Sequence, residues 1–155
     1  MDPLFVKYIH ILSATLLFGT GLGTAFHGWT AGLSGDPRAM AVVNRNVVLA
    51  DWLFTTPAVI LQPVTGVWLA LERGYPLTEG WLLLSLGLYG LVGACWLPVV
   101  WLQMRMHRMA LVARDTNQPL PARYHRYARW WFALGWPAFA GVLAIFWLMV
   151  FKPTV

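Results

Sequence analysis

The run from Lys7 to Thr30, KYIHILSATLLFGTGLGTAFHGWT, limits the fold more than any other part of the chain. It is apolar for longer than a bilayer is thick, and it carries a histidine near each end. About 20 apolar residues cross a hydrocarbon core as a helix, and an ionisable side chain inside such a segment is costly enough to imply a task. At roughly 100° per residue, His10, Ser13, Ala14, Leu17, Gly21, Thr24 and Gly28 share one face of that helix. This small, polar seam is expected to face protein, not lipid. The segment is too long for a cleaved signal sequence and lacks a small-residue cleavage region, so it is expected to be retained.

Three further apolar runs follow. The predicted helices are about 4–33, 46–71, 81–106 and 130–151, an all-α, four-helix transmembrane bundle forming a single domain over 1–155. With 59% hydrophobic residues, 11% charged ones and 10 tryptophans, a soluble core of this size has no room for what would need hiding. The connections SGDPR (34–38), ERGYPLTEG (72–80) and the long polar stretch 107–129 separate the runs.

The net charge of +5 and pI near 9.9 are explained by where the basic residues fall. Arg38, Arg45, Arg105, Arg108, Arg114, Arg123, Arg126 and Arg129 flank the first and third connections, while Lys7, Arg73 and Lys152 lie on the other side. Cytoplasmic flanks collect such residues. The expected location is therefore a bacterial inner membrane with both termini outward, in the periplasm. The partner this implies is membrane lipid, with RYHRYARWW (123–131) as an interfacial anchor, and not nucleic acid.

Depth makes the polar residues comparable. At 1.5 Å per residue His10 lies roughly 12 Å outward of the midplane, level with Trp68, Ser85 and Met149. His27 lies at similar depth on the cytoplasmic side, level with Asp51 and Gln103, a secondary polar layer. On the second helix Asp51, Thr55, Ala58, Gln62, Thr65 and Gly66 recur at spacings of three and four, a seam expected to meet that of the first. Pro57, Pro63, Pro98 and Pro137 interrupt helical hydrogen bonding.

Neutral imidazole is a common axial ligand of haem iron, and the alternative for His10 is a hydrogen bond to Ser85 or to a carbonyl across helices. His10 and His27 are about 25 Å apart along one helix, which removes bis-histidine ligation within one chain. A five-coordinate haem, Met149 as sixth ligand and a site shared across a dimer stay open. For His27 with Asp51 the readings are a relay or metal pair against a structural ion pair in which Arg45 and Arg105 compete. Met104, Met106, His107 and Met109 suit Cu(I) chemically, but Met104 and Met106 are about 200° apart on a helix. Cys95, the one cysteine, reads as a small core residue. No phosphate-binding glycine loop, paired-cysteine site or Ser-His-Asp signature is present, so hydrolase and nucleotide-dependent functions have no support.

Three passages, KYIHILSATLLFGTGLG (7–23), TTPAVILQPVTGVWL (55–69) and WPAFAGVLAIFWLMVFKP (136–153), cover about a third of the chain. They resemble a superfamily holding the HemJ-type protoporphyrinogen oxidases, the CopD-type copper-resistance membrane proteins and a family of small, uncharacterised predicted integral membrane proteins. The likeness is nearest to the last. The HemJ resemblance implies haem b on a first-helix histidine, here His10. Departures weigh against that family's activity: Ser85 stands where it has a third-helix lysine, and Leu134 and Gly135 stand where it has an Asn-Glu pair before the fourth-helix proline. For copper transport of the CopD kind, no row of methionine and histidine ligands faces one pathway.

These readings converge on a redox-linked membrane protein with haem b as cofactor, serving electron transfer or haem-linked oxidation. His10 is the expected axial ligand, Ser85 and Trp68 are pocket walls, Gln62 is a mid-membrane polar contact, and Met149 lies level with the iron. A homodimer or a membrane redox protein is the matching partner. The alternatives are a non-enzymatic subunit or scaffold with no cofactor, and a copper-handling protein.

Overall fold

Aspartate followed by proline starts each of the first two helices. Asp2 accepts from the Leu4 amide and Asp36 from the Arg38 amide, both at 2.9 Å, with Pro3 and Pro37 at the first helical position, where a missing N–H costs nothing. The computed structural model describes residues 1–154. They form α1 (Pro3–Gly32), α2 (Pro37–Ala50), a π turn (Asp51–Thr55), α3 (Thr56–Glu72), α4 (Gly80–Asp115) and α5 (Ala122–Phe151). Four helical stretches, with α2, the π turn and α3 counted as one, are long and apolar enough to cross a membrane. The fold is the all-α, four-helix bundle expected.

The helices outrun the apolar runs that mark them. The second begins at Pro37 and not near 46, because residues 37–50 bury Met40, Ala41, Val43 and Val47 along one face although the segment is much less apolar than the spans around it. The third continues to Asp115 and the fourth starts at Ala122, so the expected connection 107–129 shrinks to six residues, 116–121, with Asn117 at φ 53°. Hydropathy marks the part inside hydrocarbon, whereas a helix ends where its backbone finds a cap or a turn.

The π turn has a local cause. Pro57 has no N–H for the Leu53 carbonyl, and a proline ring crowds the carbonyl four residues back. The strain is taken up by widening the preceding turn, in which the Thr56 amide reaches Asp51 O, five residues away. Pro63 leaves the Val59 carbonyl free in the same way, and Tyr89 of α4 donates its hydroxyl to that oxygen.

Packing is uneven around the bundle. The α4–α5 contact is the most extensive, followed by α2–α4 and α1–α3, while α1 and α5 barely meet. Phe18 bridges that last gap, stacked on Phe139 with ring centroids 5.2 Å apart and tilted against Phe146. One apolar cluster, Met40, Ala41, Met106, Ala110 and Tyr124, closes the end with the 116–121 turn. Ala70, Trp81, Leu82 and Leu148 close the end that holds both termini. Ile11, Leu22, Ile60, Val64, Leu83, Leu97 and Val150 are exposed, an arrangement suited to lipid.

Candidate functional site

The seams of α1 and α3 do meet, and His10 sits at their junction. Gln62 Nε2 donates to the His10 carbonyl and to Ser13 Oγ, both at 2.7 Å, and Ser13 Oγ donates to the same carbonyl at 3.1 Å. The imidazole is fixed separately. His10 Nδ1 lies 2.8 Å from Thr65 Oγ1, whose own proton goes to the Leu61 carbonyl at 2.6 Å. A hydroxyl has one proton, and with that proton on the Leu61 carbonyl Thr65 is the acceptor for a proton on His10 Nδ1. In that tautomer Nε2 is unprotonated, with its lone pair free. Gly66 gives the ring its space, since a Cβ there would lie 3.2 Å from His10 Cε1.

The other residues expected around His10 are distributed differently. Gln62 is brought to it, though to its backbone. Trp68 is half-buried on α3, three residues beyond Thr65. Ser85 is buried and turns back on its own helix, donating to Trp81 O at 2.7 Å. Met149 packs with Trp81 and Leu148 in the cluster at the terminal end. The His10 cluster therefore consists of Ser13, Gln62, Thr65 and Gly66, and neither Ser85 nor Met149 hydrogen-bonds to it.

The second polar layer is half as expected. Asp51 and Gln103 are hydrogen-bonded: Gln103 Nε2 donates to Asp51 Oδ2, Thr55 donates to Oδ1 at 2.8 Å, and Gln103 Oε1 accepts from Trp131 Nε1 at 3.2 Å. His27 is not a partner. It is exposed and lines a separate hollow of about 350 Å³ with Asn46, Val47, Ala50 and Phe54. Equal depth placed His27 with Asp51, but the two side chains leave their helices in different directions. Arg45 and Arg105 do not pair with Asp51 either; among the described residues the one ion pair joins Arg114 and Asp115.

A larger cavity, about 780 Å³, lies between α1, α4 and α5, with Asp51, Thr55 and Gln103 in its wall and aromatic rings over much of the rest. It is absent from the sequence reading because its walls come from four segments and its existence depends on the sparse α1–α5 contact. A usable signal was the aromatic content of α5 on the side of Trp131, Trp136 and Phe139. His10 is not part of this lining. For copper, Met106 and Met109 pack into the apolar cluster near the 116–121 turn, to which Met104 does not belong. Among the described residues no three His, Cys, Asp or Glu side chains converge on a point.

No curated protein and no solved structure matches the chain. The family described as predicted integral membrane protein (DUF2269) matches residues 4–153, and the chain belongs to it.

Proposed function

For a member of this integral membrane family, we propose binding of haem b in the bacterial inner membrane, in the service of electron transfer or haem-linked oxidation, with both termini in the periplasm. The observation that carries the reading is the proton count at His10. Thr65 takes Nδ1–H and leaves Nε2 with a free lone pair inside a membrane-spanning helix. A metal-binding histidine characteristically donates its other ring N–H to a neighbour, which fixes the tautomer and raises the basicity of the ligating nitrogen. The likeness of 7–23 to the first helix of HemJ-type proteins supports the same residue.

The donor set suits haem, whose macrocycle supplies four nitrogens and asks one imidazole of the protein; when bound, haem b supplies one-electron redox chemistry. His10 would hold the iron through its unprotonated ring nitrogen. Thr65 orients the ring, Gly66 admits it, and Gln62 with Ser13 pins the backbone that carries it. His10 is half-buried and outside the large cavity, so the remaining walls of a haem pocket would have to come from a partner, a second copy of this chain or a membrane redox protein.

The test is a visible spectrum of protein purified after haem-replete expression. The expected result is a Soret band that disappears in His10→Ala and persists in His27→Ala. A colourless wild-type preparation would overturn the reading in favour of a scaffold, which the Gln62 bridge between α1 and α3 favours. Copper found by elemental analysis and lost in His107→Ala would point instead to metal handling.

A further inference from the structure

Asp51 is a carboxylate within a membrane-spanning helix whose protein partners are all neutral: an amide from Gln103 and a hydroxyl from Thr55. It is 7% exposed, and it borders the 780 Å³ cavity. Phe18, Phe26, Trp29, Trp96, Trp136 and Phe139 are among the rings that wall that cavity. No lysine, arginine or histidine from α1, α4 or α5 reaches the lining, and Tyr89, whose hydroxyl is spent on the Val59 carbonyl, is its one other titratable group. A buried acid inside a membrane either keeps its proton or finds a counter-charge. Here the protein does not supply one.

We propose that this cavity binds a lipophilic organic cation, with Asp51 as counter-ion and the aromatic walls as its cage. Aromatic faces present negative potential, tryptophan most strongly, and a cation shielded from water gains most from them. The volume lies within the range of small-molecule sites. Entry is between α1 and α5, whose contact is sparse and includes Phe18 against Phe139 and Phe146. Depth selects the kind of cation. Asp51 is seven or eight residues from the centre of the 46–71 run, about 11 Å from the midplane, while the hydrocarbon boundary is about 15 Å away from it. A phospholipid choline head stays beyond that boundary, whereas a cation whose charge is delocalised or screened by its own rings enters. The site uses no residue of the His10 cluster and stands whether or not His10 carries haem.

The experiment is equilibrium binding of tetraphenylphosphonium to the full chain purified in dodecylmaltoside, beside the neutral, similarly shaped triphenylphosphine oxide. Saturable binding of the cation is expected, with the neutral compound at least about tenfold weaker. Asp51→Asn is expected to remove that preference and to leave any Soret band unchanged. Gly135→Phe, at a lining position where a Cβ meets nothing within 4 Å, fills the space and is expected to abolish binding of both compounds. Equal affinity for the cation and the neutral compound on the wild-type chain overturns the proposal without recourse to any variant. Displacement of the cation by added phosphatidylcholine would overturn it as well, since the site would then belong to a lipid head group.

Discussion

His10 and Thr65 show how little separates a structural histidine from a ligand: one hydroxyl whose proton is committed elsewhere. Thr65→Val keeps the shape and deletes the acceptor, leaving Nδ1–H unpaired. Haem affinity is expected to fall about 10- to 100-fold while His10 stays in place, measured by titrating haem into apoprotein. The seam that carries His10 was legible, because Ser13 and Ala14 recur with it at helical spacing. Its partner was not. Spacing along one helix gives the direction a residue faces relative to its own neighbours, and says nothing of which residue on another helix stands opposite. Hence Thr65 was visible as a seam member and invisible as the group that sets the tautomer. The same gap explains His27, which shares the depth of Asp51 and not its bearing.

At the level of helices, the apolar runs located every span, but the start of the second helix at Pro37 lies outside its run, because there an Asp-Pro cap and not hydropathy marks the boundary. Within the contact between α4 and α5 Gly141 leaves no room for a side chain, since an added Cβ would lie 2.7 Å from Val92 Cγ2. Valine is stiff at χ1, so the neighbour cannot swing away. Gly141→Ala is expected to cost about 1–3 kcal/mol, read as a lower unfolding midpoint in detergent, with Gly135→Ala, which meets nothing within 4 Å, as the silent control. The two glycines are six residues apart on α5, roughly 120° around the helix, so spacing separates their faces while only the opposing side chain says which face is crowded. The polar seam of the second span was also read as continuous from Asp51 to Gly66. In the structure Asp51 turns to α4 while Gln62 and Thr65 turn to α1, because the π turn lies between them.

For the molecule as a whole, arginine distribution remains the guide to orientation. Both termini and the 73–79 connection share one end, and the 116–121 turn shares the other with most of the arginines. A membrane-impermeant maleimide is expected to label Thr154→Cys in intact spheroplasts and Gln118→Cys only after permeabilisation, and Cys95 is buried and should stay silent in both. Labelling in the reverse order would invert the topology. The widened turn at Asp51–Thr55 also makes chain length itself a specification. One surplus residue there sets the rotational phase between the halves of a span, and removing it would turn everything on one side by roughly 100°. Across a lineage, this stretch should therefore accept exchanged letters more readily than a lost one, since a deletion would swing either the acid or the imidazole's partner out of its facing position.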